Sequence, residues 1–266
     1  MKYPTAILFS AILFAVSCKD KNENTKWLPD VKNENHGPSQ KREFKGTFNE
    51  IEISQAINAE IIKSDEERVV IIAPSNVIDD ILVDRDGDKI NIHYRSGIRV
   101  MNANRVEAKI YAKDFEKLKV GSAANVLVKD QFTQEKTEIE VTGSGEITGD
   151  FEANKLEIVA SSSGSFTGKI WAIDLEIDAS SAASIDIKGK AKNADLSSSS
   201  SASISAKQVL VEHLKAEASS GSDIDISVKT SVNAEASSAG SINITKQGNI
   251  SIVNKQESSG GSVTIN

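Results

Sequence analysis

The sequence predicts an all-β protein wound as a β-solenoid, with rungs of about 19–20 residues behind a less regular β cap at its N-terminal end. Three observations lead there. A Ser/Ala/Gly-rich unit recurs through the C-terminal half, apolar residues alternate within each unit, and aromatics are only 5% of a chain that is 39% hydrophobic. A core made from Ile, Val, Leu and Ala in period-two alternation is a sheet core, and a fixed recurrence stacks such sheets into a coil.

The elements follow in chain order. Residues 1–17 carry one Lys and an apolar run from Ala6 to Val16, too short to span a bilayer as a helix of roughly 20 residues. The run fits a secretory signal. Ala15-Val16-Ser17-Cys18 resembles a bacterial lipobox, with Ala15 where Leu is commonest, so Cys18 is the expected lipidation site. It is the single cysteine of the chain, which excludes an intrachain disulfide and a CxxC metal site. Residues 18–43 read as a flexible tether, polar and without hydrophobic period from Lys19 to Ser39. The expected address is an outer-membrane lipoprotein on the cell surface or the periplasmic face, held to the membrane through its N-terminal lipid.

Residues 44–117 are strand-like but irregular. Ile51–Ile53, Val69–Ile72, Ile90–Ile92 and Val106–Ile110 are candidate strands, and Asp86-Gly87-Asp88 reads as a tight turn between Ile81–Asp84 and Lys89–Tyr94. This region is expected to cap the solenoid, because stacked rungs leave an open sheet edge.

Residues 118–266 hold the repeats, for example LEIVASSSGSFTG (156–168), LEIDASSAASIDI (175–187) and VNAEASSAGSINI (232–244). Taking the apolar residue after each small-residue turn as anchor gives Val126, Ile147, Phe166, Ile185, Ile204, Ile224, Ile242 and Val263, spaced by 21, 19, 19, 19, 20, 18 and 21 residues. These anchors are expected to stack as one inward column. Leu118, Ile139, Ile158, Ile177, Leu196, Ala216, Ala234 and Ile252 form the other. Serines at aligned turn positions, such as Ser161, Ser180, Ser199, Ser219 and Ser237, are expected to form ladders in which their hydroxyls bond each other or nearby backbone groups. A flexible Ser-rich linker is excluded because alternating apolar residues flank every cluster. The edge at Val263–Asn266 is left for the loop Asn254–Gly261, or for another molecule, to cover.

Asp114-Phe-Glu-Lys-Leu-Lys-Val-Gly-Ser122 and the repeated Gly/Ala-Ser-Ile units, such as Gly240-Ser-Ile-Asn243, resemble the head GIN domain family, described as auto-transporter adhesin heads. The resemblance runs over roughly residues 44–266. It implies a right-handed parallel β-helix and brings no catalytic residues.

Function classes narrow by chemistry. Lys+Arg number 31 against 38 Asp+Glu, a net charge of −7, which argues against nucleic acid as partner. His36, His93 and His213 share no metal-ligand spacing, and no phosphate-cradling motif is present, so no cofactor and no catalytic activity are expected. Many β-helix proteins process polysaccharides, but short rungs leave no room for cleft walls. The repeat register places Glu138, Glu157, Glu176 and Asp195 in one outward column, a candidate stripe for a divalent cation or a basic partner, or else a solvated acidic face. The expected function is a non-catalytic adhesin or surface-interaction module that meets a glycan or protein ligand through its outer faces. The alternatives are a polysaccharide-processing enzyme and a structural subunit that homo-oligomerises through its C-terminal edge.

Overall fold

The computed structural model describes residues 30–32, 37–100 and 105–266. Cys18 and the signal segment lie outside the described residues. The N-terminal part contains β1 (Asp30–Lys32), β2 (Ser39–Lys45), β3 (Glu50–Ile53), β4 (Asn58–Lys63) and β5 (Arg68–Pro74). A single 3-10 turn at Ile78–Asp80 leads to β6 (Ile81–Asp86), β7 (Lys89–Tyr94), β8 (Ile98–Val100) and β9 (Glu107–Ala112). The repeats then give β10 (Lys117–Val120), β11 (Asn125–Val128), β12 (Phe132–Val141), β13 (Glu146–Thr148) and β14 (Phe151–Ala160). Longer strands follow: β15 (Ser165–Ala179), β16 (Ser184–Ser198), β17 (Ser203–Ala218) and β18 (Asp223–Ala236). The chain closes with β19 (Ser241–Lys246), β20 (Ile252–Glu257) and β21 (Ser262–Ile265).

Apart from β2, β5 and β6, these strands pair in parallel and stack as a β-solenoid of about 8 turns. The anchor column is continuous through paired strands, Val126–Ile147–Phe166–Ile185–Ile204–Ile224–Ile242–Val263, and every member is buried. Each fully buried Ile or Val contributes roughly 1.5–3 kcal/mol relative to its exposed state, so the columns are a principal source of stability. The bore is graded along its length. Phe115, Phe132, Phe151 and Phe166 pack together near the first repeats, with ring centroids 4.9 Å apart for Phe115–Phe132 and 5.8 Å for Phe151–Phe166. Towards the C-terminus the inward positions become Ala216, Ala218, Ala234 and Ala236.

The second column departs from expectation at its end. Leu118 through Ala234 stack as predicted, but Ala234 pairs with Lys255, whereas Ile252 pairs with Ser231 and is 64% exposed. The register is set backwards from the turn at Ser258–Gly261. The extra residues of the last copy therefore fall before β20, and Lys255 and Glu257 occupy inward-column positions in the final rung. They form an ion pair at 3.0 Å, and Glu257 Oε1 accepts from the Val263 amide at 2.6 Å.

The small-residue turns share one geometry. In each, the two central residues have positive φ, as at Ser162/Ser163 (51° and 61°), Ser181/Ala182 (54° and 60°) and Ser238/Ala239 (48° and 63°). The fourth amide closes on the first carbonyl, as from Ala183 to Ser180. This is a type I′ turn, normally the place of Gly or Asn. The ladder that the serines were expected to supply by hydroxyls is made mainly by backbone. The third amide of each turn donates to the second carbonyl of the next: Ser163 to Ser181, Ala182 to Ser200 and Ser201 to Ser220, each at 3.0–3.1 Å. A hydroxyl–hydroxyl bond joins Ser161 to Thr142 at 3.2 Å.

The solenoid reaches further towards the N-terminus than the readable repeats. β3 and β4 pair in parallel with β10 and β11 on one side and with β7 and β9 on the other. The rung of β3/β4, first in sequence, therefore sits between two later ones. Beyond it the end is capped: β5 runs antiparallel to both β9 and β2, and β6 forms the expected hairpin with β7 around Gly87. β2 takes in Ser39–Glu43, and β1 pairs with β8, so parts of the segment read as tether are strands. Their polar sequences gave no periodic signal because β2 is an edge strand whose outer side meets water.

Candidate functional site

Two outward faces of the same rungs carry the charge. The first holds the predicted stripe. The register joins Lys117, Glu138, Glu157, Glu176, Asp195 and Lys215 in one column, so the four acids are bracketed by a lysine at either end. Lys117 bonds directly to Glu138, and Lys136 adds a second contact at 3.7 Å. Lys155 reaches Glu176 at 3.6 Å, while Lys215 reaches Asp195 at 3.2 Å and Glu217 at 3.1 Å. Glu157 has no ion pair with a described residue. The bond from Lys117 holds the Glu138 carboxyl below its ordinary range and raises the lysine in turn. Asp178, one alternate position away, is pushed up by burial first and by Glu176 second. Among the described residues no three His, Cys, Asp or Glu side chains group closely enough to hold a metal ion. His93 is occupied by Asp84 at 2.9 Å and His213 by Ser231 at 2.8 Å, so neither points to a shared centre.

The second face precedes the first in each rung, and its sequence signal was missed. Lys169, Lys188, Lys190, Lys192, Lys207 and Lys229 are all exposed there; Lys188 and Lys207 line a recess with Asp150 and Asp186, Lys190, Lys192 and Lys229 another, and no ion pair links any of the six to a described carboxylate. Lys169 lies directly beside Lys188, and Trp171 beside Lys190, which in turn neighbours Leu210. Ile173 and Leu210 are 39% and 40% exposed. Trp171, Ile173, Lys190, Lys192, Leu210 and Lys229 line a groove of about 400 Å³ in which Glu212 is the one acid. Gly189 makes the corner: its φ is +132°, and a Cβ there would lie 1.9 Å from the Ile170 carbonyl oxygen. A glycine at that point lets Lys188 and Lys190 both face outward. The signal was available in Lys188-Gly-Lys-Ala-Lys192, whose alternate lysines point one way in a strand.

A family model described as "Putative auto-transporter adhesin, head GIN domain" matches residues 47–248. The chain belongs to the head GIN domain family. Solved structures share its fold. A "putative adhesin" from Parabacteroides merdae superposes with a TM-score of 0.76 at 16% identity, covering 87% of this chain and 98% of the other. A "putative adhesin" from Parabacteroides distasonis gives 0.74 at 20% identity, covering 86% and 100%. A "putative lipid binding protein" from the same species gives 0.75 at 19%, covering 87% and 98%. A search of the curated proteins found no match. In this head GIN domain the two outward faces lie within the matched residues.

Proposed function

We propose that the protein is a non-catalytic surface-interaction module of the cell envelope, an adhesin head carried on a lipid at Cys18. The observation that carries this reading is the groove of Lys190, Lys192 and Lys229, which form no ion pair with a described carboxylate, beside half-buried Trp171 and exposed Ile173 and Leu210, in a domain whose family is described as adhesin heads. Charged groups that are not satisfied within the molecule, placed next to exposed apolar surface, are what an interaction surface offers. The paired ions of the acidic face suit solvation instead.

Assembly through the C-terminal edge is the weaker reading. Lys255 and Glu257 stand at inward positions of the last rung, and inward-pointing charges are a device by which sheets oppose addition of another strand.

The test is protease shaving of intact cells, followed against a periplasmic control, in parallel with fatty-acid labelling of the wild type and Cys18→Ala. Loss of the protein while the control survives, with label that depends on Cys18, is expected. Full protection would remove the adhesin reading.

A further inference from the structure

We infer that the lysine face binds a linear anionic polysaccharide, bearing carboxylate or sulfate groups and lying along the solenoid axis with a sugar ring against Trp171. This rests on the reading of the protein as a surface-interaction module and names its partner class.

The charge distribution leads to the anion. A protein of net charge −7 has no general affinity for polyanions, yet Lys190, Lys192 and Lys229 line one groove with a single acid, Glu212, and form no ion pair with a described carboxylate. On the neighbouring face Lys117, Lys155 and Lys215 are each paired.

The spacing leads to a chain. Rungs repeat at ~4.8 Å, on the scale of one sugar unit along a linear glycan, so Trp171 on β15, Lys190 on β16 and Lys229 on β18 meet different units of one chain. Trp171 supplies the apolar plane that the C–H face of a pyranose covers, and Ile173 and Leu210 extend it. Polar groups fix orientation in such a groove and apolar groups supply contact area.

Two other polyanions fit less well. A bilayer surface would need a broad apolar face to insert, and this one offers Trp171, Ile173 and Leu210 only, with the acidic stripe on the same rungs. Duplex DNA carries a charge every ~1.7 Å and would meet the repulsion of the net negative protein most strongly.

The experiment uses the full chain without residues 1–17, with calorimetric titration at low salt. Probes are polygalacturonate, hyaluronan, chondroitin sulfate, neutral dextran, a DNA duplex, and phosphatidylglycerol/phosphatidylcholine vesicles. At least one acidic glycan is expected to bind, and dextran is not. Lys190→Gln with Lys192→Gln should weaken that binding at least tenfold, and Trp171→Ala at least threefold, with thermal unfolding unchanged in both. Lys117→Gln, on the acidic face, should leave binding as it was. Absence of binding to all three acidic glycans would overturn the inference, as would binding insensitive to the Lys190/Lys192 and Trp171 changes. DNA or vesicles binding as tightly as the glycans would overturn it too, by showing charge attraction or membrane association instead. Shaving separates the two levels: a surface-exposed protein that ignores acidic glycans loses only this inference, whereas a glycan-binding protein shielded inside the envelope loses the adhesin reading.

Discussion

The two charged faces share strands β15 to β17, yet they treat lysine differently. On the acidic face each lysine lies within reach of a carboxylate one rung away, and the pairs offset the repulsion of a column of four acids. On the lysine face Glu212 lines the groove beside Lys190, Lys192 and Lys229 but no ion pair forms with them, and a tryptophan and two aliphatic side chains stand among them. What separates a solvated face from a binding face is therefore not the amount of charge but whether the fold has already satisfied it. A count of lysines in the sequence does not reveal this; the register does.

The largest effect is expected from removing the register that both faces share. Ala182 has φ 60° and donates the ladder bond to Ser200. Ala182→Pro forces φ to about −65° and deletes the donor, which costs about 3 kcal/mol or more. Urea denaturation should show that loss, and calorimetry should show binding at the lysine face falling with it.

A matched pair of substitutions separates the faces. Lys117→Met leaves Glu138 with Lys136 alone and Glu140 with Lys119 alone, and should lower stability by about 0.5–1 kcal/mol in urea at pH 7. Lys190→Met should change stability by less than about 0.5 kcal/mol while weakening anion binding. The pH dependence has a definite sign. Glu138 titrates below its ordinary value, so its contribution is present above pH 4.5 and is lost as pH falls through the lowered value. Lys117 is raised, so its contribution is whole below pH 10.5 and lost as pH rises through the raised value. The difference between wild type and Lys117→Met should therefore shrink at both extremes.

Asp178 behaves oppositely. Its raised value means that the ionised carboxylate opposes folding at neutral pH. Asp178→Asn should be the more stable protein at pH 7, by less than about 1 kcal/mol, with the advantage vanishing as pH falls through the raised value towards 3.8. Thermal melts across pH 3–8 measure it.

The smallest effect lies in the turns. Ser181 sits at φ 54°, where a side chain costs roughly 1–2 kcal/mol and glycine does not. Glycine loses about 0.5–1 kcal/mol through chain entropy, so Ser181→Gly should stabilise by up to about 1 kcal/mol in urea.

Much of this could be read from residues. The anchor column from Val126 to Val263 and the stripe from Glu138 to Asp195 follow from counting nineteen or so residues, because a solenoid converts period directly into adjacency. Counting failed where the period broke. Ile252 looked like an inward residue because it is apolar, but the turn at Ser258–Gly261 fixes the register and puts Lys255 there. The rung of β3/β4 was invisible because residues 64–88 separate it from the rung that stacks on it, so no fixed interval links them. The hydroxyl ladder was misassigned because sequence displays the serine side chain and hides its amide.

That interleaved rung has a consequence for how the molecule comes apart. A simple solenoid frays from either end, each rung detaching as its outer neighbour leaves. Here the earliest rung in the chain is clasped between β7/β9 outside and β10/β11 inside, so it cannot leave before the piece that follows it in sequence. The N-terminal third must open as one block, while β20 and β21 are free to peel singly. Hydrogen exchange should accordingly run as a one-way gradient, quickest at the last strands, with β3, β4, β7 and β9 exchanging together.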